Sequence, residues 1–378
     1  MEKFNLIATC AAGIEAITAN ELKHLGYDVR TENGRVRFSG TMKDVFETNL
    51  WLRTADRIKI VVAEFEARTF DELFEKTKAL PWDEFLPLDA EFPVSGKSQK
   101  SKLHNVPSVQ SIVKKAIVDK MCTVYFRRTQ LPETGALYPI ECAINKDNVM
   151  LTLDTTGSSL FKRGYRTEKG GAPLKENMAA ALVLISHWYP EQTFVDPVCG
   201  SGTIPIEAAL IGHNIAPGLN RQFACGKWEL AETGVEEKIR EEARSKADMS
   251  RELDIWGYDI DGRMVEIARR NSAAAGVRSS INLKQMALKD FKTDKEYGVI
   301  VANPPYGERL SSRDEVHKLY RQMGEIYRPL ETWGKYILTS DLKFEEWYGQ
   351  KATKKRKLYN GSLRTDLFQY WGKRKPRA

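Results

Sequence analysis

Two short stretches concentrate residues able to do chemistry. The first, VIVANPPYGERL (299–310), is an apolar run that delivers Asn303, Pro304, Pro305 and Tyr306 at its end. Consecutive prolines give up two backbone donors and fix two φ angles, a costly way to build an ordinary turn. The second is DPVCGSGT (196–203), where a strand is expected to end at Asp196 and a helix to begin near Thr203. Gly200 and Gly202 permit unusual φ and close approach of backbone amides to a ligand. A GxG turn by itself is equally a tight strand-to-helix connection. A dinucleotide loop would need GxGxxG, but Pro205 stands where the third glycine belongs, and the Gly-Lys-Ser/Thr of a phosphate loop is absent. Asp196 would repel a pyrophosphate and suits a cationic ligand instead.

DPVCGSGT resembles the S-adenosylmethionine loop of Rossmann-like methyltransferases. The resemblance implies that Asp196, Cys199, Gly200, Gly202 and Thr203 surround that cofactor. Asp259, closing the apolar run of DIWGYDID (254–261), would accept hydrogen bonds from the ribose hydroxyls, and Asp261 is the better N-cap for the helix that follows. Asp290 would accept from the adenine amino group, although a lone loop aspartate is equally a capping or solvated carboxylate.

NPPY after a strand resembles the signature of methyltransferases that act on exocyclic base amines. Such an amine is a weak nucleophile because its lone pair is delocalised into the ring. The resemblance implies that the Asn303 oxygen and the Pro304 carbonyl accept its two protons and turn the lone pair toward the methyl group. Pro304 and Pro305 would fix these acceptors, Tyr306 would stack on the base, and Asn303 would border the cofactor as well. A covalent cytosine-C5 route is disfavoured, because Cys199 lies in the cofactor turn.

These residues need a scaffold. From residue 177 onward strands alternate with helices, as in a doubly wound parallel sheet. The spacing from Asp196 to Asp259 far exceeds the roughly 20 residues expected between glycine loop and ribose acid. A charge-dense helical insert at 229–252 accounts for the excess. The first half reads differently. Residues 1–67 give strand, helix, an Asn33-Gly34 hairpin, helix and strand, and 68–156 repeat that α+β style. Residues 157–176 are rich in Gly, Ser, Lys and Arg and read as a linker.

The N-terminal half resembles a ferredoxin-like unit (1–67) followed by a THUMP region (68–156). Together with RGYR (163–166), APLKEN (172–177), DPVCGSGT, NIAPGLNRQF (214–223) and ANPPYGERL, it resembles the bacterial guanine-N2 RNA methyltransferases of the THUMP–NPPY class. That resemblance implies an α/β protein with a Rossmann-like methyltransferase domain over 177–378, using S-adenosylmethionine on structured RNA, ribosomal RNA above transfer RNA. It places Pro173 and Leu174 over the cofactor. Some members carry a second methyltransferase module; with Ala378 as the last residue, that activity is not expected. The alternatives are a transfer-RNA guanine-N2 enzyme, a DNA adenine-N6 methyltransferase sharing the NPPY corner, and a non-catalytic RNA-binding factor.

Composition agrees. The net charge is +7, and no Asp or Glu occurs from Phe92 to Val118. Lys97, Lys100, Lys102, Lys114 and Lys115 in that window, with Arg127, Arg128 and the KKRK run (354–357), are expected to meet RNA phosphates. The five cysteines form no CxxC pair or zinc spacing, so reduced thiols and no metal are expected. With no signal peptide and no membrane-length apolar run, the chain is expected to be soluble and cytoplasmic.

Overall fold

The computed structural model describes residues 3–128, 130–166, 174–305, 313–361 and 363–373. In the first half, alternating apolar residues and turn glycines produce β1 (Phe4–Cys10), α1 (Glu15–His24), β2 (Arg30–Glu32), β3 (Arg35–Gly40), α2 (Met42–Trp51) and β4 (Ala55–Glu66). There follow α3 (Phe70–Lys78), β5 (Val94–Gln99), α4 (Val106–Val124), β6 (Ile140–Asn145) and β7 (Asn148–Asp154). The helix α4 shows how locally this is written. The Asn105 side chain accepts from the Ser108 N–H at 3.1 Å, Pro107 occupies the first turn, and Val109, Val113, Ile117 and Met121 bury one stripe. The two α+β units do not stand apart. β4 pairs with β7, so all seven strands form one sheet in the order β2-β3-β1-β4-β7-β6-β5.

The second half contains α5 (Glu176–Ile185), β8 (Phe194–Asp196), α6 (Thr203–Gly212), α7 (Val235–Ser245), β9 (Ile255–Asp259), α8 (Gly262–Ala274) and β10 (Ile281–Gln285). It closes with β11 (Val299–Ala302), α9 (Arg313–Tyr327), β12 (Gly334–Thr339), α10 (Phe344–Tyr348), β13 (Lys354–Asn360) and β14 (Leu363–Tyr370). The sheet order is β10-β9-β8-β11-β12-β14-β13. The first five strands are parallel, and β14 and β13 join antiparallel. β8 and β11 are buried throughout, which is why β11 reads as an unbroken apolar run and β8 as apolar up to its closing Asp196. Strand order reverses between them, the place where open α/β sheets bind ligands beyond the carboxyl ends of their strands.

Three segments pack more closely than their composition suggests. The described part of the linker is packed: Leu160, Arg163 and Tyr165 are buried, and Arg163 donates to the carbonyls of Leu160 and Arg53. Its small and charged residues suggested a loop because its partners lie far away in sequence. The insert at 229–252 is packed as well: Ile239 and Ala243 join the core of the first sheet. Just ahead of it, Ala216, Phe223, Cys225 and Trp228 join the same core. Trp228 stacks on Tyr138 at 4.7 Å and donates to the Leu137 carbonyl. The KKRK run is part of the second sheet. It is the edge strand β13, where lysines discourage pairing with another chain, and Lys355 is held by Glu345 at 2.6 Å. No described helix is long and apolar enough to cross a membrane.

Candidate active site

Four neighbouring strands deliver the site. β8 ends in Asp196, β9 in Asp259, β10 runs into Met286, and β11 runs into Asn303. Register sets this alignment: Phe194 lies opposite both Ile255 and Val299. Beyond these ends opens a cleft of about 1130 Å³. Leu174, Asp196, Cys199, Gly200, Thr203, Asp259, Asn303 and Pro305 all line it. Gly202 stands just behind, as N-cap of α6 at φ +81°; a Cβ there would lie 2.9 Å from the Cβ of Ala268. Pro304 is buried between two lining residues. Tyr306 and Pro173 fall outside the described residues.

The electrostatics are set by two acids. Asp196 is 1% exposed and accepts the Val198 N–H at 3.2 Å. Burial pushes its carboxyl well above the usual range, and the nearby charge of Asp259 adds to this. Asp259 takes the Gly200 N–H on one oxygen and the Asp261 N–H on the other, both at 2.9 Å, so it pins the glycine loop to β9. Burial raises its pKa too, against those hydrogen bonds. Neither carboxylate has a cationic partner among the described residues. Burial holds the Cys199 thiol well above its ordinary value, so it remains protonated. Asp261 is the N-cap of α8, as its position suggested. Beyond the end of β11, the neighbour of β8, the Asn303 Oδ1 is buried and has no hydrogen-bond partner among the described residues.

Asp290 is the one expected site residue placed elsewhere among those described. It ends the short 3-10 turn Leu288–Asp290 and is exposed, while Met286, Ala287, Leu288 and Lys289 form the wall. The pairing of Gln285 with Asp259 ends β10 there and turns the next four residues, not Asp290, into the cleft. Of the expected RNA contacts, Lys97 pairs with Glu141 at 3.0 Å, and Lys114 pairs with Glu133 at 2.6 Å while lying over the Phe92 ring. Lys100, Lys102, Lys115, Arg127 and Arg128 are exposed.

Sequence reading missed Ile260, Met264, Lys289, Lys318 and Gln322, which also line the cleft. The α9 residues had a signal. Val316, Tyr320, Met323 and Tyr327 form the buried stripe, which leaves Lys318, Leu319 and Gln322 on another face. It also missed Arg166, which donates at 2.9 Å to both the Leu174 carbonyl and the Thr203 hydroxyl and so ties two walls of the cleft together.

Three family descriptions match the chain. They are "RMKL-like, methyltransferase domain" over residues 163–369, the RlmL ferredoxin-like domain over 5–59 and the THUMP domain over 67–154. YpsC of Bacillus subtilis, provisionally named an RNA methyltransferase, is 53% identical, with 100% of this chain and 98% of YpsC covered. The ribosomal RNA large subunit methyltransferase K/L of Marinobacter nauticus is 34% identical over 98% of this chain; the chain spans only 53% of that relative's length. Among solved structures, SMU.472, provisionally named a methyltransferase and crystallised with SAH, superposes with a TM-score of 0.95 at 55% identity, covering 100% of both chains. A Listeria monocytogenes protein, named from prediction as an N6-adenine-specific DNA methylase, gives 0.94 at 56% identity, covering 99% of this chain and 97% of that one.

S-adenosylmethionine fits the cleft on chemical grounds. It carries an ammonium group and a methyl-bearing sulfonium and no phosphate, matching a buried and a half-buried carboxylate without a cationic partner among the described residues and a glycine loop that lacks a phosphate-loop lysine. The chain belongs to the RMKL-like methyltransferase family and is an S-adenosylmethionine-dependent enzyme.

Proposed function

We propose that the chain methylates the exocyclic N2 of a guanine in RNA, with large-subunit ribosomal RNA as the substrate. One observation carries the chemistry: the Asn303 oxygen is a buried acceptor with no hydrogen-bond partner among the described residues, at the end of β11 and in the same cleft as the acid loop. Leaving such an atom unsatisfied is unfavourable, and an incoming amino group relieves it. In this reading the amide oxygen and the Pro304 carbonyl take the two amine protons, so the lone pair points at the methyl donor as the new bond forms. Asp196 holds the cationic part of the cofactor, Asp259 the ribose, and Leu174 covers it. The cofactor supplies the methyl group on its sulfonium. The cleft exceeds the roughly 300–1,000 Å³ of a single small-ligand pocket, which leaves space for a base removed from its stack.

Guanine in ribosomal RNA is favoured by the joint motif set, by the THUMP domain and by relatives named for large-subunit ribosomal RNA. The exposed cations Lys100, Lys102, Lys115, Arg127 and Arg128 would meet phosphates. Adenine N6 is the second reading, favoured by the name of the Listeria structure, and the corner's chemistry serves that amine equally. The Asn303→Ala variant tests the mechanism. Its turnover should fall about 100–1,000-fold, the usual cost of removing one preorganised polar group, with cofactor affinity little changed. Turnover near that of the native enzyme would overturn the assignment.

A further inference from the structure

We propose that Phe126 is a stacking platform for an unpaired base, with Arg127 and Arg128 gripping the adjoining phosphates. The proposal rests on the RNA reading above and places a second RNA contact on the first sheet's domain, apart from the catalytic cleft.

Tyr125 closes α4 with an N–H bond to the Met121 carbonyl at 2.9 Å, and the Arg127 N–H reaches back to the Cys122 carbonyl, also at 2.9 Å. The residue between them must adopt the left-handed conformation, and Phe126 does so at φ +53°. Helices that end this way favour glycine there, because any Cβ is strained. A bulky aromatic is a poor choice for the turn. It is an equally poor choice for packing, since Phe126 is 95% exposed and belongs to none of the three cores. The next most exposed large apolar side chain is Ile260 at 71%, and it lines the cofactor cleft. Stability therefore accounts for neither the conformation nor the exposure of Phe126.

The surrounding charge selects the partner. Arg127 and Arg128 follow immediately, and both are exposed. The negative end of α4 explains a cation there but not a ring. Three nearby acids are engaged with lysines: Asp119, the one acid of α4, pairs with Lys78 at 3.8 Å, Asp83 pairs with Lys120 at 3.8 Å, and Glu133 pairs with Lys114 at 2.6 Å. What projects is one aromatic face beside two guanidinium groups. A protein partner would want a contiguous apolar patch. A duplex hides its base faces, whereas a single strand presents a base face and phosphates together.

The test uses the full chain with Phe126→Gly and Phe126→Trp. Binding is measured to a fluorescent unstructured RNA of about 12 nucleotides and to a duplex RNA of the same length. Phe126→Gly should bind the single strand about 5–100-fold more weakly, the usual cost of losing one base–aromatic stack, and the duplex as the native chain does. Phe126→Trp should retain binding. The glycine variant should melt at or above the native temperature, because the strained turn is relieved. Unchanged single-strand binding, an equal loss on duplex, or a lowered melting temperature would each overturn the platform. If the native chain binds neither RNA, the RNA reading itself fails.

Discussion

Asp196 and Asp259 have no cationic partner among the described residues, so their own burial works against their ionisation. Both carboxyls are raised in the fold. The stability this gives is fully present below the ordinary aspartate range and is lost as pH rises through the raised values. A cationic cofactor reverses the balance by favouring the carboxylates. Cofactor affinity should therefore strengthen over the same rise in pH that weakens the ligand-free protein. Asp196→Asn separates the two effects, because the amide oxygen can still accept the Val198 N–H while carrying no charge. We expect its ligand-free melting temperature to rise. Its cofactor dissociation constant should rise by about 30-fold or more, from roughly 2 kcal/mol for losing one partner of a buried charged contact. Calorimetric titration and thermal melts check both; unchanged affinity, or a destabilised ligand-free protein, would contradict this account of the acid.

At the scale of elements, the stretch between α6 and β9, which includes the insert, decides how the halves hold together. The Gly218 N–H bonds to the Leu50 carbonyl, and the Cys225 N–H to the Thr155 carbonyl. Trp228 is 3% exposed against Tyr138. Trp228→Ala should cost about 3–5 kcal/mol in denaturant unfolding, the range for a truncated core aromatic. A change within about 0.5 kcal/mol would mean that the insert is only a surface feature. Strands and helices were legible because their periodicities are local, and the cleft was legible as the order of Asp196, Asp259 and Asn303 along the chain. Asp290 was misplaced because strand register, not acid spacing, decides which residues follow β10 into the cleft. The insert and the linker were misjudged because their charged composition masks an apolar face whose partners are distant in sequence. The β13–β14 hairpin did carry a turn signal in Asn360-Gly361, overshadowed by the lysines before it.

At the scale of the whole molecule, the first sheet and the catalytic sheet act as one block. Gly13 lies against the backbone of β13, where a Cβ would come within 2.4 Å of the Lys357 carbonyl. Arg163 ties Arg53 of the first half to Glu207 on α6. An RNA held on the first domain is thus presented to the cleft at a fixed reach, which suits recognition by shape and backbone with one nucleotide turned into the site. The most direct test of this account is methyl transfer from labelled S-adenosylmethionine to total RNA and to genomic DNA from cells lacking the protein, read by mass spectrometry of the nucleosides. Label in N2-methylguanosine, recovered from ribosomal RNA, is the predicted result. Label in N6-methyladenine from DNA would contradict it and assign the Asn303 corner to a different amine on a different polymer.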